Sequence, residues 1–481
     1  MVIKVLTICL TLLVLGVLVA IVSVDFVTGF MLVLMAVGAL FMSLIPAMTN
    51  PRYMWVEPPT VFAISIFIGY YCKTLYVLGG YGSNPIVTST LMLNEHPSEL
   101  LYGGLLLTLG ITCLITGYQL QKGKFTVPVR VREYSISRRK VLTWSAIFIA
   151  IGYFFFILFA SGFSVSLSNP ESLSAKRFKG VGVTPSDRLS SSSYLYYRIS
   201  QVAKAPLYVL FFLIVAKQAR LASPVGLLFL LSAFHMFALA IFTSNKSDVL
   251  ITAFDLVLIG YLVMGRLLSL RVYVLGAIAL YSMSLVASIR SRGAFDSYSF
   301  FDKIFANRYF FEITKSSHII NSVPGQVEYA FGQSFVAWMN LFLPKSVEFS
   351  NDYFTNMGFY LARNVFGLFN SGVPPGIVAE LYMNFSLVGV VAGMFLYGML
   401  LRVMHRTLAA HFNSPFIVVV YVLIMIRFSA FLINNSFNVA MLKSCGDSIL
   451  VVLFLLLVGE SGKQLKARRR HVRRRRSVVA R

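Results

Sequence analysis

The chain has 481 residues, of which 57% are hydrophobic and only 12% charged, with a formal net charge of +24. That composition excludes an ordinary soluble globule and points to a polytopic, all-α membrane protein. The four cysteines, Cys9, Cys72, Cys113 and Cys445, are scattered through apolar segments, with no CxxC or Cys/His spacing to suggest a disulfide framework or a metal site.

About twelve spans follow from length and flanks: 5–24, 26–48, 59–79, 101–119, 141–161, 201–216, 224–243, 248–265, 271–288, 376–400, 415–434 and 439–458. The first is expected to be a retained span, because a second follows it almost at once. Much of the positive charge lies in Gln121–Lys140 and Lys463–Arg481, which flank spans and read as positive-inside topology signals. This argues against a nucleic-acid partner. A cytoplasmic basic tail at 463–481 puts the amino terminus on the same side. Lys4, Arg52, Lys217, Arg220, Arg266, Arg271, Arg402 and Arg406 then fall inside, while Asp25, Glu95, Glu99, Glu171, Asp187 and Asp248 fall outside. The whole chain is expected to form one membrane domain with two external loops, 162–200 and 289–375. In the larger loop, FDKIFANRYFFEI (301–313), FGQSFVAWMNLF (331–342) and Asn351 to Phe369 mix apolar and polar faces and suit helices lying along the interface. Loops of this length are usually functional.

On this topology seven cations gather at the outer level, where the positive-inside rule disfavours them: Lys73, Arg198, Lys204, Arg290, Arg292, Arg427 and Lys443. Arg offers a bidentate fork to phosphate oxygens and Lys a point charge, so such a group suits a lipid-linked diphosphate. The alternative is that several are paired, Lys443 with Asp447 at i, i+4 among them. His235 and Asp255, inside spans, are expected to make structural hydrogen bonds. His318, in SSHIINSVPG, has a side chain suited to proton transfer.

The stretch GVPPGIVAELYMNFSLVGVVAGMFLYGML (372–400) carries the densest signal. Pro374 and Pro375 suit a helix start. Glu380 and Asn384, at i, i+4, share one face of the helix that follows. An ionisable group there faces protein or a water-filled cavity rather than lipid; the plainer role is a helix-start carboxylate favoured by the macrodipole. No GxSxG, HExxH, Walker A or GxGxxG pattern stands in a matching context.

This stretch resembles the bacterial Wzy-type oligosaccharide repeat-unit polymerases of O-antigen and related surface polysaccharides. Pro374, Pro375, Glu380, Tyr382, Asn384 and Phe385 match the family pattern, while Ala379 and Ser386 stand where glycines are usual; LPKSVEF (343–349) also fits. The resemblance implies a GT-C-like glycosyltransferase of the bacterial inner membrane, acting on undecaprenyl-diphosphate-linked oligosaccharides. No cofactor is expected, and no metal, since the external carboxylates form no cluster in the sequence. Glu380 or His318 would handle the acceptor proton, Arg290 would serve the leaving diphosphate, and Arg292, Arg198, Lys204, Lys73, Arg427, Lys443, Tyr382 and Asn384 would bind substrate. A chain-length regulator and a flippase are the expected partners. The alternatives are an O-antigen ligase, a flippase or transporter of lipid-linked oligosaccharide, and a scaffold for polysaccharide assembly.

Overall fold

The computed structural model describes residues 2–21, 25–50, 57–78, 97–121, 135–162, 191–243, 246–265, 313–341, 357–367, 372–412 and 414–460. In chain order the helices begin with α1 (Val2–Ile21), α2 (Phe26–Thr49), α3 (Pro58–Ile66), α4 (Lys73–Leu78), α5 (Pro97–Leu120) and α6 (Arg138–Gly162). Next come α7 (Ser191–Ser200), α8 (Lys204–Val215), α9 (Pro224–Thr243), α10 (Lys246–Met264), α11 (Ile313–Asn321) and α12 (Gln333–Val336). The chain closes with α13 (Met357–Asn364), α14 (Ile377–Val388), α15 (Met394–Ala409), α16 (Pro415–Tyr421), α17 (Arg427–Asn434) and α18 (Phe437–Val458). Two-residue strands, Ser135–Ile136 and Gly459–Glu460, form one antiparallel pair. Among the described residues, six helical stretches are long and apolar enough to cross a membrane, which makes this a multi-pass membrane protein of the helical class. The expected span 271–288 and the segment 301–312 lie outside the described residues.

The chain divides into two compact units. The first comprises Met1–Thr126, Ser297–Arg406 and Met425–Ser444; the second comprises Val127–Asp296, Thr407–Ile424 and Cys445–Arg481.

In the first unit α2 packs against α1, α3 and α5. Asp25 caps α2 by accepting the Thr28 N–H at 3.1 Å, and the Thr28 side chain and backbone hold its carboxyl below the ordinary value. The span expected at 59–79 is α3 and α4 joined by a π-helical turn, Phe67–Cys72. The turn aims two tyrosines at different neighbours. Tyr70 Oη donates to the Gly104 carbonyl at 3.0 Å, and Tyr71 Oη donates to the Leu12 carbonyl at 2.6 Å.

In the second unit α6 packs against α7, α8 and α9. The described part of the expected loop 162–200 is helical from Ser191 onward. A 3₁₀ turn, Gln201–Ala203, joins α7 to α8 and frees two carbonyls. His235 Nε2 answers Ser200 at 3.0 Å, and the Ser232 hydroxyl donates to Ala203. Tyr208 Oη donates to Asp255 at 3.1 Å. The structural roles expected of His235 and Asp255 are thus the ones observed.

One expectation needs correction. The span 376–400 was expected as a single helix, but its backbone leaves helical geometry at Phe385 (φ −142°, ψ 21°) and Ser386 (φ 55°, ψ −149°). There the chain folds back on itself. In a continuous helix Leu381 and Gly393 would stand about 18 Å apart, yet a Cβ at Gly393 would lie 2.5 Å from Leu381 Cδ2. A Cβ at Gly389 would lie 2.4 Å from the Leu381 carbonyl oxygen. Val378 on one limb and Val390 and Met394 on the other all converge on Gly110 of α5. Residues 377–384 therefore form a buried half-helix lying back along the start of the long helix, which runs from 387 through a π-helical turn, Gly389–Gly393, to Ala409. That second limb alone is roughly 35 Å long, enough to span a bilayer.

Gly376, which opens the half-helix, has φ +76°, and a Cβ there would lie 2.4 Å from the Ile433 carbonyl oxygen. Only glycine fits both demands. Gly376→Ala is expected to destabilise the protein by about 1–3 kcal/mol, read as a lower thermal midpoint in detergent. Gly38→Ala, in mid-α2 with open space around its Cα, is expected to leave the midpoint unchanged or raised.

Candidate functional site

The half-helix sits where several breaks in regular structure meet. Its eight residues, 377–384, are all buried, and Glu380 and Asn384 are both 0% exposed. The sequence dictates this pattern: Gly376 starts a helix after two prolines, and Ile377, Val378, Ala379, Leu381 and Met383 give it apolar side chains all round. Such a helix is stable only inside protein, so its polar side chains are answered by protein groups.

Asn384 uses every part of its amide. Oδ1 accepts the Gly332 N–H at 2.7 Å, and Nδ2 donates to Ser334 Oγ at 2.8 Å and to the Glu380 carbonyl at 2.7 Å. One backbone bond reinforces it, from the Ala330 N–H to the Met383 carbonyl at 2.9 Å. The helix break had removed that carbonyl's own partner. Segment 330–334 is thereby fixed to the half-helix, with Phe331 (φ 43°) and Gly332 (φ 86°) both in left-handed conformations.

Glu380 has one oxygen engaged. Its Oε2 accepts the Phe437 N–H, at the start of α18, at 2.6 Å. The carboxylate thus caps a second helix, where the macrodipole favours negative charge. Among the described residues Oε1 has no hydrogen-bond partner of good geometry, and the Ser334 hydroxyl lies close by. Among the described residues no cation pairs with Glu380. Tyr382, one residue beyond the opposite face, sets its hydroxyl 3.4 Å from that of Tyr102, with the rings edge to face.

His318 lies on α11, which packs against α5 and α14. Its Nε2 stands 3.3 Å from the Val365 carbonyl, an acceptor only, so Nε2 carries the proton; among the described residues Nδ1 has no partner. Phe366 lies against the ring. No hydrogen bond or ion pair joins His318 to Glu380.

Of the seven expected cations, three have described side chains. Lys73 is buried at the start of α4 and lies over the Tyr76 ring at 5.3 Å. Lys204, in the second unit, is ion-paired with Asp447 at 2.9 Å, so its charge is already met. Arg198 is exposed on α7. Arg427 and Lys443 lie on α17 and α18, with side chains outside the described ones, and Arg290 and Arg292 lie outside the described residues. Among the described residues no group of His, Cys, Asp or Glu is placed to hold a metal.

Sequence reading missed a second buried carboxylate. Glu57, just before the Pro58-Pro59 start of α3, accepts from Tyr118 Oη at 2.6 Å and Arg402 NH1 at 3.0 Å, with His405 Nε2 at 3.6 Å. Arg402 also donates to Tyr118 Oη at 3.1 Å and lies over its ring. This cluster ties α3, α5 and α15 together. The available signal was Glu57 beside a span start, with Arg402 near a span end. Ser334 and Gly332 were missed too, since only the fold brings them to Asn384.

No protein-family model matches the chain, and no curated protein or solved structure matches it.

Asn384→Ala leaves the Gly332 N–H and other buried groups unpaired, and is expected to cost about 1–3 kcal/mol in detergent unfolding; Asn384→Gln is expected to rescue little, because its longer arm misplaces both bonds. Arg402→Met removes the ion-pair partner of buried Glu57 and is expected to cost about 3–5 kcal/mol. Adding Glu57→Gln to Arg402→Met should recover part of that loss in the same assay.

Proposed function

We propose that this chain is a membrane-embedded polysaccharide polymerase. It would transfer a glycan from undecaprenyl diphosphate to a lipid-linked repeat unit on the external face of a bacterial inner membrane, using about twelve spans and with both termini cytoplasmic. The observation that carries the reading is the state of Glu380. The carboxylate of the motif-bearing stretch is held in a buried half-helix, and among the described side chains one of its oxygens has no hydrogen-bond partner and no cation pairs with it.

In this reading the acceptor hydroxyl attacks the anomeric carbon of the donor and its proton passes to Glu380 Oε1. The anomeric carbon–oxygen bond to the diphosphate breaks, and the leaving group departs with the electron pair, giving inversion. Arg290 and Arg292 steady the developing charge. Lys204 contributes little, since Asp447 already answers it. His318, with Nδ1 open, is the second candidate for the proton. Glu380 is fully buried, so substrate reaches it only when the 330–334 clamp shifts. The lipid-linked oligosaccharides are the direct partners, with a chain-length regulator and a flippase acting on the same material.

One observation favours a transporter of lipid-linked sugar instead. Discontinuous helices buried in a bundle are the common architecture of transporter sites, and the half-helix is one.

The test is a gel of surface polysaccharide from a strain lacking the gene, complemented with the natural chain or with Glu380→Gln. The expected result is single-unit-capped lipid without the gene, a ladder with the natural chain, and no ladder with an inserted, normally abundant Glu380→Gln variant. Lipid-linked repeats trapped on the cytoplasmic face would establish the transporter. Polymer retained on its carrier would establish the ligase. Near-normal ladders from Glu380→Gln would remove Glu380 from the chemistry.

A further inference from the structure

The corner of the hairpin exposes apolar side chains beside a second exposed apolar corner. Phe385, Leu387 and Val388 are exposed, Val388 to 73%. From there the long helix presents Val388, Ala392, Leu396 and Leu400 to the outside at i, i+4 spacing, one continuous apolar stripe. In a bilayer-spanning helix that stripe is the lipid-facing one.

Phe331, next to Gly332, which lies against Phe385, adds a second exposed ring from another part of the chain. It is 74% exposed, on a backbone with φ 43° that bulky residues rarely adopt. Two bonds to the half-helix end hold it there, Ala330 N–H to Met383 and Gly332 N–H to Asn384. Tyr329 lies against its ring, at 5.9 Å between centroids. Phe335, four residues on, stacks nearly parallel to Phe385 at 6.5 Å and meets Phe437 edge to face at 5.3 Å. The strained loop is therefore fastened to the end of the spanning limb, and it projects a ring rather than burying it.

We propose that Phe331 and Phe385 form a membrane anchor, seated among the acyl chains of one leaflet just beneath the headgroups. Continuity decides the occupant. Gly332, next to Phe331, lies against Phe385, where an added Cβ would stand 3.3 Å from its Cζ, and Phe385 opens the corner from which the lipid-facing stripe of a helix long enough to span begins. The side chains exposed there, Phe331, Phe385, Leu387 and Val388, offer no hydrogen-bonding group to a sugar or a polar peptide. Ser334 is three residues from Phe331 and is bonded to Asn384. The depth at which the ring sits thus sets the position of the Glu380 cluster relative to the bilayer surface. This inference does not rest on the polymerase reading.

The experiment places a nitroxide at Phe331→Cys, in a chain whose four cysteines are replaced by serine, reconstituted in phosphatidylcholine vesicles. A label at Val388→Cys serves as the lipid-facing reference. Collisions with oxygen are expected to exceed those with a water-soluble nickel chelate several-fold at both positions. Dominance of the nickel chelate at position 331 would put the loop in water and overturn the proposal. Low collision with both reagents would put it against protein and overturn it equally. Should the serine background fail to fold, Phe331→Trp in the otherwise natural chain serves instead, reconstituted in phosphatidylcholine brominated near the top of its chains. The added emission is expected to be quenched, and unquenched added emission would overturn the anchor.

Discussion

A helix that stops inside an apolar bundle releases backbone groups that cannot be left bare, and the architecture around residues 377–384 follows from that constraint. The carbonyl of Met383, freed by the corner at Phe385 and Ser386, takes the Ala330 N–H. The side chain of Asn384 takes the Gly332 N–H and returns a bond to the Glu380 carbonyl. At the other end of the half-helix, the first amide of α18 is taken by Glu380. Two separate stretches of chain, segment 330–334 and the start of α18, are thus fixed by groups the half-helix itself supplies. A buried polar network of this kind specifies one arrangement because any partial version leaves costly orphans.

The two buried carboxylates of the first unit show how environment separates structural from chemical candidates. Glu57 is closed electrostatically: Tyr118, Arg402 and His405 surround it, and Arg402 also engages Tyr118. Nothing about that group is left for a ligand, and its evident effect is to tie three helices. Glu380 is stabilised by one amide and a helix terminus, and one of its oxygens stands open. The difference lies not in burial, which is nearly complete for both, but in how much of each carboxylate's hydrogen-bonding capacity the protein has already used.

The hairpin also links segment 330–334 to the spanning limb. Segment 330–334 is attached to the half-helix by hydrogen bonds, and the half-helix is attached to the spanning limb by close packing of Leu381 on Gly389 and Gly393. Close approach at small residues gives a membrane bundle its contact energy when water offers no drive for association. A displacement of the loop is therefore felt at the corner, and a displacement of the corner is felt at Glu380.

Hydrophobic length and charge in the sequence by themselves determined that the chain is helical and crosses the membrane repeatedly, because a bilayer requires about 20 apolar residues per span and leaves few other solutions. Proline placement likewise marked where a helix begins near 376. Glu380 and Asn384 stood out as polar groups one turn apart in an apolar run, and both belong to the buried cluster. Periodicity gave no sign of the corner at 385–386, since Phe-Ser is an ordinary helical dipeptide and the groups that bond to the half-helix end beside it lie some 50 positions away. For the same reason Ser334, Gly332 and Glu57 could not be joined to their partners, and Lys204 could not be matched to Asp447 across 243 residues. A spacing of three or four residues reports on neighbours along one helix; which carbonyl, amide or ion meets which across the bundle is decided only when the helices pack.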